Sequence, residues 1–132
     1  MTDIMEMENG FFADENHRIR ALGLESVVGE SENRGARYYA VLYLLTATER
    51  LYRNTAACFS VDDVDFDEAV LRGFTGQEYA IYKAAREIYL ELGDIILSEM
   101  CDSYIVGETA FRLIMNAVML VREESDEQLH MI

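Results

Sequence analysis

The sequence predicts an all-α protein, a compact bundle of about five helices in a single domain. Three observations carry that expectation. Thr75-Gly76-Gln77-Glu78 is a capping box: a Thr hydroxyl and a Glu carboxylate three residues on each satisfy a free backbone N–H of the other. Tyr38, Tyr39, Val41, Leu42, Tyr43, Leu44 and Leu45 make a stretch apolar nearly all round, as in a helix at the middle of a bundle. Strand signal is confined to Tyr104-Ile105-Val106, and three residues cannot support a sheet. The length of 132 residues fits one domain, and an apolar share of 51 % supplies a core and argues against wholesale disorder.

The elements follow in order. Residues 1–10 read as a flexible acidic tail, 11–125 as the helical domain and 126–132 as a flexible C-terminal tail. Asp14 caps a first helix to about Leu24. Gly29 to Gly35 is a loop of Gly, Ser, Asn and charged residues without apolar spacing. A second helix is expected from about Ala36 to Arg53, its second half amphipathic with Glu49, Arg50 and Arg53 in solvent. Residues 54–64 carry no clear signal. Asp65 or Asp67 caps a short helix ending near Gly73. The capping box opens a helix to about Leu92, with Gly93 as its stop and Ile81, Ala85, Ile88 and Leu92 as its buried stripe. A shorter helix is expected over 94–100. The last runs from about Glu108 to Glu124, with Phe111, Ile114, Met115, Val118 and Val121 facing inward.

Charge narrows the function. Lys plus Arg is 11 and Asp plus Glu is 25, a net of −14 and a sequence pI near 4.4. Direct binding to a polyanionic nucleic acid or an anionic membrane surface is disfavoured. The charge is also uneven: residues 16–53 sum to +2, so the remainder sums to −16. Between Arg53 and Arg72 lie five acids and no base; between Arg86 and Arg112 lie six acids and no base. Such stretches serve as solvated surface, or as an acidic face built to meet a basic one. Proline is absent where an average chain of this length carries about six or seven, so no proline-rich linker is expected. The first residues lack the basic start and apolar run of a signal peptide. The longest mostly apolar stretch, 38–47, is too short to span a bilayer. A soluble cytoplasmic protein is the expectation.

Catalytic and metal motifs fail on inspection. Asp63, Asp65 and Asp67 match positions one, three and five of a calcium loop, but Glu68 stands where the turn requires Gly and Phe74 where the bidentate Glu belongs. Cys58, Cys101, His17 and His130 lack the close spacing that makes a zinc site legible, and buried structural cysteines are expected instead. No nucleophile, base and orienting group fall together, and no phosphate-cradling glycine loop is present. The expectation is a protein that is not an enzyme, with no cofactor and no metal. The eight tyrosines read as core packing with hydroxyls reaching water, or as a binding surface. Asn116, amid apolar residues, needs a partner if buried, and a neighbouring loop or helix end would supply one.

Phe12, His17 and Arg20 head the first helix; residues 37–47 read RYYAVLYLLTA; Phe74 precedes a helix with Lys83, Ala84 and Ile88-Tyr89; and residues 111–118 read FRLIMNAV. Over about residues 11–122 this pattern resembles a domain-of-unknown-function family of small helical proteins from Firmicutes and their phages and mobile elements. Ala21 departs from it, standing where a larger aromatic is expected. The resemblance implies an all-α fold and a phage or mobile-element context, and no site.

Charge and context together lead to an inhibitor of a host defence complex, an anti-CRISPR protein acting as a DNA mimic on a CRISPR effector nuclease in the bacterial host. The candidate contact residues are Asp62, Asp63, Asp65, Asp67 and Glu68, with Glu87, Glu91, Asp94, Glu99 and Asp102 as a second set. The alternative is a structural or regulatory accessory protein acting through its Tyr- and Met-rich faces. Whether the chain self-associates stays open.

Overall fold

A computed structural model describes the backbone of residues 9–130 and the side chains of residues 10–124. Most of the expected N-terminal tail lies outside these residues; its last two open a 3-10 turn, Asn9–Phe11. Six α-helices follow: α1 (Glu15–Val28), α2 (Ala36–Leu45), α3 (Glu49–Thr55), α4 (Gly76–Leu90), α5 (Leu97–Met100) and α6 (Glu108–His130). Short 3-10 turns stand at Ala56–Cys58 and Phe66–Glu68. Among the described residues there is no strand, only an isolated antiparallel bridge between Phe59 and Val64.

Helix α2 is the axis of the fold. Nine of its ten residues are buried, and it packs chiefly against α4 and α6, which also touch each other. Helices α1 and α3 complete the layer around it. The apolar run in the sequence thus became a helix covered on every side. The cap signals also hold: Asp14 accepts from His17 N–H, and Thr75 and Glu78 form both bonds of the box.

Several expectations change. The second helix does not reach Arg53 in one piece. It stops at Leu45, and Thr48 caps a separate α3 by accepting from Leu51 N–H. Thr46 bonds its hydroxyl back to the carbonyls of Leu42 and Tyr43, and Arg20 clasps the carbonyls of Thr46 and Ala47 at 2.8 and 2.9 Å, so these groups are satisfied outside a helical ladder. No helix reaches Gly73; Asp65 caps only the 3-10 turn. The helix expected over 94–100 is the single turn α5, and Tyr104-Ile105-Val106 lies in a turn. Helix α4 ends at Leu90, with Glu91 in the left-handed conformation at φ 57°, so Leu92 falls outside its stripe and is exposed.

The α6 stripe is wider than the expected one, with Ile114 buried and Met115, Val118 and Val121 packed, partly buried, against the core. Ala110, Leu113, Ile114, Ala117 and Leu120 are the buried face, whereas Phe111 is exposed. Helix α6 also continues past Glu124 to His130.

A polar knot ties the N-terminal segment to the axis. Fully buried His17 accepts from Ala13 N–H at Nδ1 (3.0 Å) and donates from Nε2 to the Tyr43 carbonyl (2.7 Å). The two bonds fix the neutral Nε2–H tautomer, and burial lowers its pKa to about 4. Tyr43 donates its hydroxyl to the Phe11 carbonyl, and Asn116 donates to both. Asn116 thus serves a neighbouring loop, as its position among apolar residues led one to expect. Ala21 is fully buried.

Candidate functional site

The first acidic set sits on a loop that the rest of the molecule holds firmly. Residues 59–64 close through the Phe59–Val64 bridge, with Ser60 N–H on the Asp63 carbonyl and Asp65 N–H on that of Cys58. Buried Arg34 donates from Nε to the Val61 carbonyl (2.5 Å) and lies 4.8 Å over the Tyr38 ring. Tyr38 donates its hydroxyl to the Ser60 carbonyl (2.7 Å), and Tyr89 of α4 donates to Asp63 (2.6 Å). Burial, then the Asp63 carboxylate, push the Tyr89 hydroxyl up to about 12, so it stays a donor. Phe59, Val64 and Phe66 point inward, while Asp62, Asp63, Asp65, Asp67 and Glu68 are all exposed. Among the described residues none of these five acids makes an ion pair. Asp63 and Asp65 have structural bonds, Asp65 through the N–H of Asp67; Asp62, Asp67 and Glu68 are charged side chains on a fixed backbone.

The second set is engaged within the molecule. Glu87 accepts from Gly93 and Asp94 N–H, fixing the turn after α4. Glu91 pairs with Arg37 at 3.7 Å, Asp94 with Arg86 at 3.2 Å and Glu99 with Lys83 at 3.5 Å. Asp102 accepts from Tyr104 N–H. Farther along, Gln77 near the start of α4 donates to the Ile105 carbonyl and accepts from Gly107 N–H. Residues 91–106 therefore form a strap that runs back along α4, from Arg86 through Lys83 to Gln77. These pairings were not legible in the sequence, since each joins residues that are not helical neighbours.

A buried acid lies between the ends of α3 and α4. Glu78 accepts from the Thr48 hydroxyl (2.5 Å) and Thr75 N–H (2.9 Å), and pairs with Arg50 at 3.4 Å. Burial pushes its pKa up, but these donors outweigh it and hold the carboxyl below its ordinary range. Its role is structural. A cleft of about 540 Å³ lies beside it, lined by Ile81, Leu113, Thr109 and Glu108 among others.

The cysteines do not share the expected burial. Cys58 is buried, which raises its thiol to about 11, whereas Cys101 is exposed. Among the described residues no three His, Cys, Asp or Glu side chains are placed to hold a metal ion. Among the same residues no helix is long and apolar enough to cross a membrane. Tyr38, Tyr39, Tyr43 and Tyr82 pack in the core, whereas Tyr79 and Tyr104 are exposed; the Tyr38 and Tyr43 hydroxyls bond backbone carbonyls.

No known protein family, curated protein or solved structure matches the chain.

Proposed function

We propose that this protein is an acidic inhibitor that docks on a basic protein surface through the loop at residues 60–68. The observation that carries the reading is the combination of a fixed backbone with exposed carboxylates at Asp62, Asp67 and Glu68 that make no ion pair among the described residues. A preorganised loop loses little freedom on binding, and its charge raises the rate of encounter with a basic partner. The specific target proposed is a CRISPR effector nuclease in a bacterial cytoplasm, with the inhibitor encoded by a phage or mobile element. Such nucleases hold guide and target strands in positively charged channels, and duplex DNA presents one negative charge per roughly 1.7 Å. Carboxylates on a rigid frame compete for the same surface.

The test is target-DNA cleavage with this protein added before guide, after guide or after DNA. Inhibition that disappears once DNA is loaded supports competition for the channel. No effect on any of several effector types, at large excess, removes the reading. The accessory-protein reading then takes its place, favoured by the exposed apolar side chains of the strap.

A further inference from the structure

The strap at residues 91–106 turns only part of its apolar content inward. Ile95, Met100 and Val106 pack on the core. Leu92, Ile96, Leu97, Tyr104 and Ile105 remain exposed, Leu97 at 83 % and Tyr104 at 95 %. Leu90, at the end of α4, is exposed as well. Single exposed apolar residues are ordinary on any protein; six within sixteen residues, on a segment pinned along one helix, are not. The pins keep the strap in place: Glu87 at its start, Arg86 and Lys83 along its length, Gln77 at its end. The fifteen residues of α4 give the strap a track of about 22 Å, the length of a helix of the same size.

The charge on this segment says what kind of occupant fits. Six acids and no base lie between Arg86 and Arg112, and Arg37, Lys83 and Arg86 answer three of them, which leaves an acidic excess on the segment. A second copy of the chain would bring like charge against like charge. The Tyr89–Asp63 bond also ties the end of α4, just before the strap begins, to the acidic loop. We infer that the strap is a docking surface for a basic, amphipathic segment of a partner protein, whose apolar side chains meet Leu92, Leu97 and Tyr104 while its cations meet Asp102 and Glu108, which pair with no base among the described residues. This rests on the reading that the partner is basic, and adds to it where the apolar anchors sit.

The inference is tested by NMR titration of the full-length ¹⁵N-labelled protein with three synthetic helical peptides. One carries leucines on one face and lysines on the other; the second replaces the leucines with serine; the third replaces the lysines with glutamate. The leucine–lysine peptide is expected to shift amides in the strap. Its affinity should fall at least tenfold in a Leu97→Ser, Tyr104→Ser variant, whose changes are both on exposed side chains and leave the amide spectrum elsewhere unchanged. The serine peptide should bind weakly and the glutamate peptide not at all. Shifts confined to other surfaces, unchanged affinity in the variant, or equal binding of the glutamate peptide overturn the inference. So do strap amides that broaden with protein concentration alone, because the occupant is then a second copy. The two readings fail separately. Peptide docking on the strap without inhibition of any nuclease removes the inhibitor and keeps the surface. Inhibition that survives the strap substitutions, with no peptide docking, does the reverse.

Discussion

The loop at residues 59–68 and the strap at residues 91–106 are both acidic, yet their carboxylates do different things. On the loop, backbone bonds and the side chains of Arg34, Tyr38 and Tyr89 hold the chain, and among the described residues the acids pair with no cation. On the strap the acids themselves hold the chain, through Arg37, Arg86 and Lys83, and it is the apolar side chains that face outward. A count of acids along the sequence cannot separate the two cases. What decides availability is whether a neighbouring helix offers a base, and α4 offers Lys83 and Arg86 to the strap but only a tyrosine hydroxyl to the loop.

The comparison holds only on an intact frame, and the largest expected effect tests that frame. His17 is neutral when folded, with its pKa near 4 against 6.5 unfolded. The unfolded chain therefore binds more protons between those values, and stability that is complete above pH 6.5 is lost as pH falls towards 4. The linkage amounts to about 3 kcal/mol. Melting temperatures recorded from pH 7 to pH 4.5 should fall more steeply in the native protein than in His17→Gln; parallel slopes would mean the imidazole is not the cause. Next comes Glu78, an acid committed to structure. Glu78→Ala should cost about 2 kcal/mol, because the Thr75 N–H and the Thr48 hydroxyl lose their acceptor. Chemical denaturation measures it, and a loss no greater than for an exposed loop acid would erase the distinction.

Tyr89→Phe is a smaller cut, made where the two regions meet. Removing one partly exposed hydrogen bond to a carboxylate should cost about 1 kcal/mol and speed amide exchange at residues 60–64 while leaving the strap as it was. The least effect is expected from Lys83→Gln, which frees Glu99. Because the pair is partly exposed, about 0.5 kcal/mol is expected, and high salt should abolish it. Exchange rates that rise in the strap and not in the loop would sharpen the contrast between the two.

Features determined by neighbours in the chain were legible in the sequence. The Thr75–Glu78 box, the Asp14 cap and the apolar run of α2 are local patterns, and each took the form its pattern implies. Features that depend on distant partners were not. The break after Leu45 depends on Arg20, 26 residues away from the carbonyl it clasps. The α6 face was legible in part: Ile114, Met115, Val118 and Val121 do face the core, but Phe111 does not, and the small residues Ala110 and Ala117 that are buried beside them carried no signal. The acids of both regions were visible as candidates. Their separation into unpaired and pinned groups depends on Arg37, Lys83, Arg86 and Tyr89, none of which stands out in sequence. The strap's outward apolar residues follow neither a helical nor a strand period, so no pattern marked them.

The central claim is that the unpaired acids of the loop, rather than acidity in general, make the contact with a partner. It is tested most directly by comparing two charge reversals in the nuclease inhibition assay: Asp62→Lys, Asp67→Lys, Glu68→Lys on the loop, and Glu91→Lys, Glu99→Lys on the strap. Net charge changes per substitution are equal, and none of the three loop side chains makes an ion pair among the described residues. The account predicts that the loop variant keeps its melting temperature and loses inhibition at least tenfold, about 1.4 kcal/mol, while the strap variant loses stability and keeps most of its inhibition per folded molecule. Equal losses of inhibition in the two variants, or a loop variant as potent as the native protein, would contradict it.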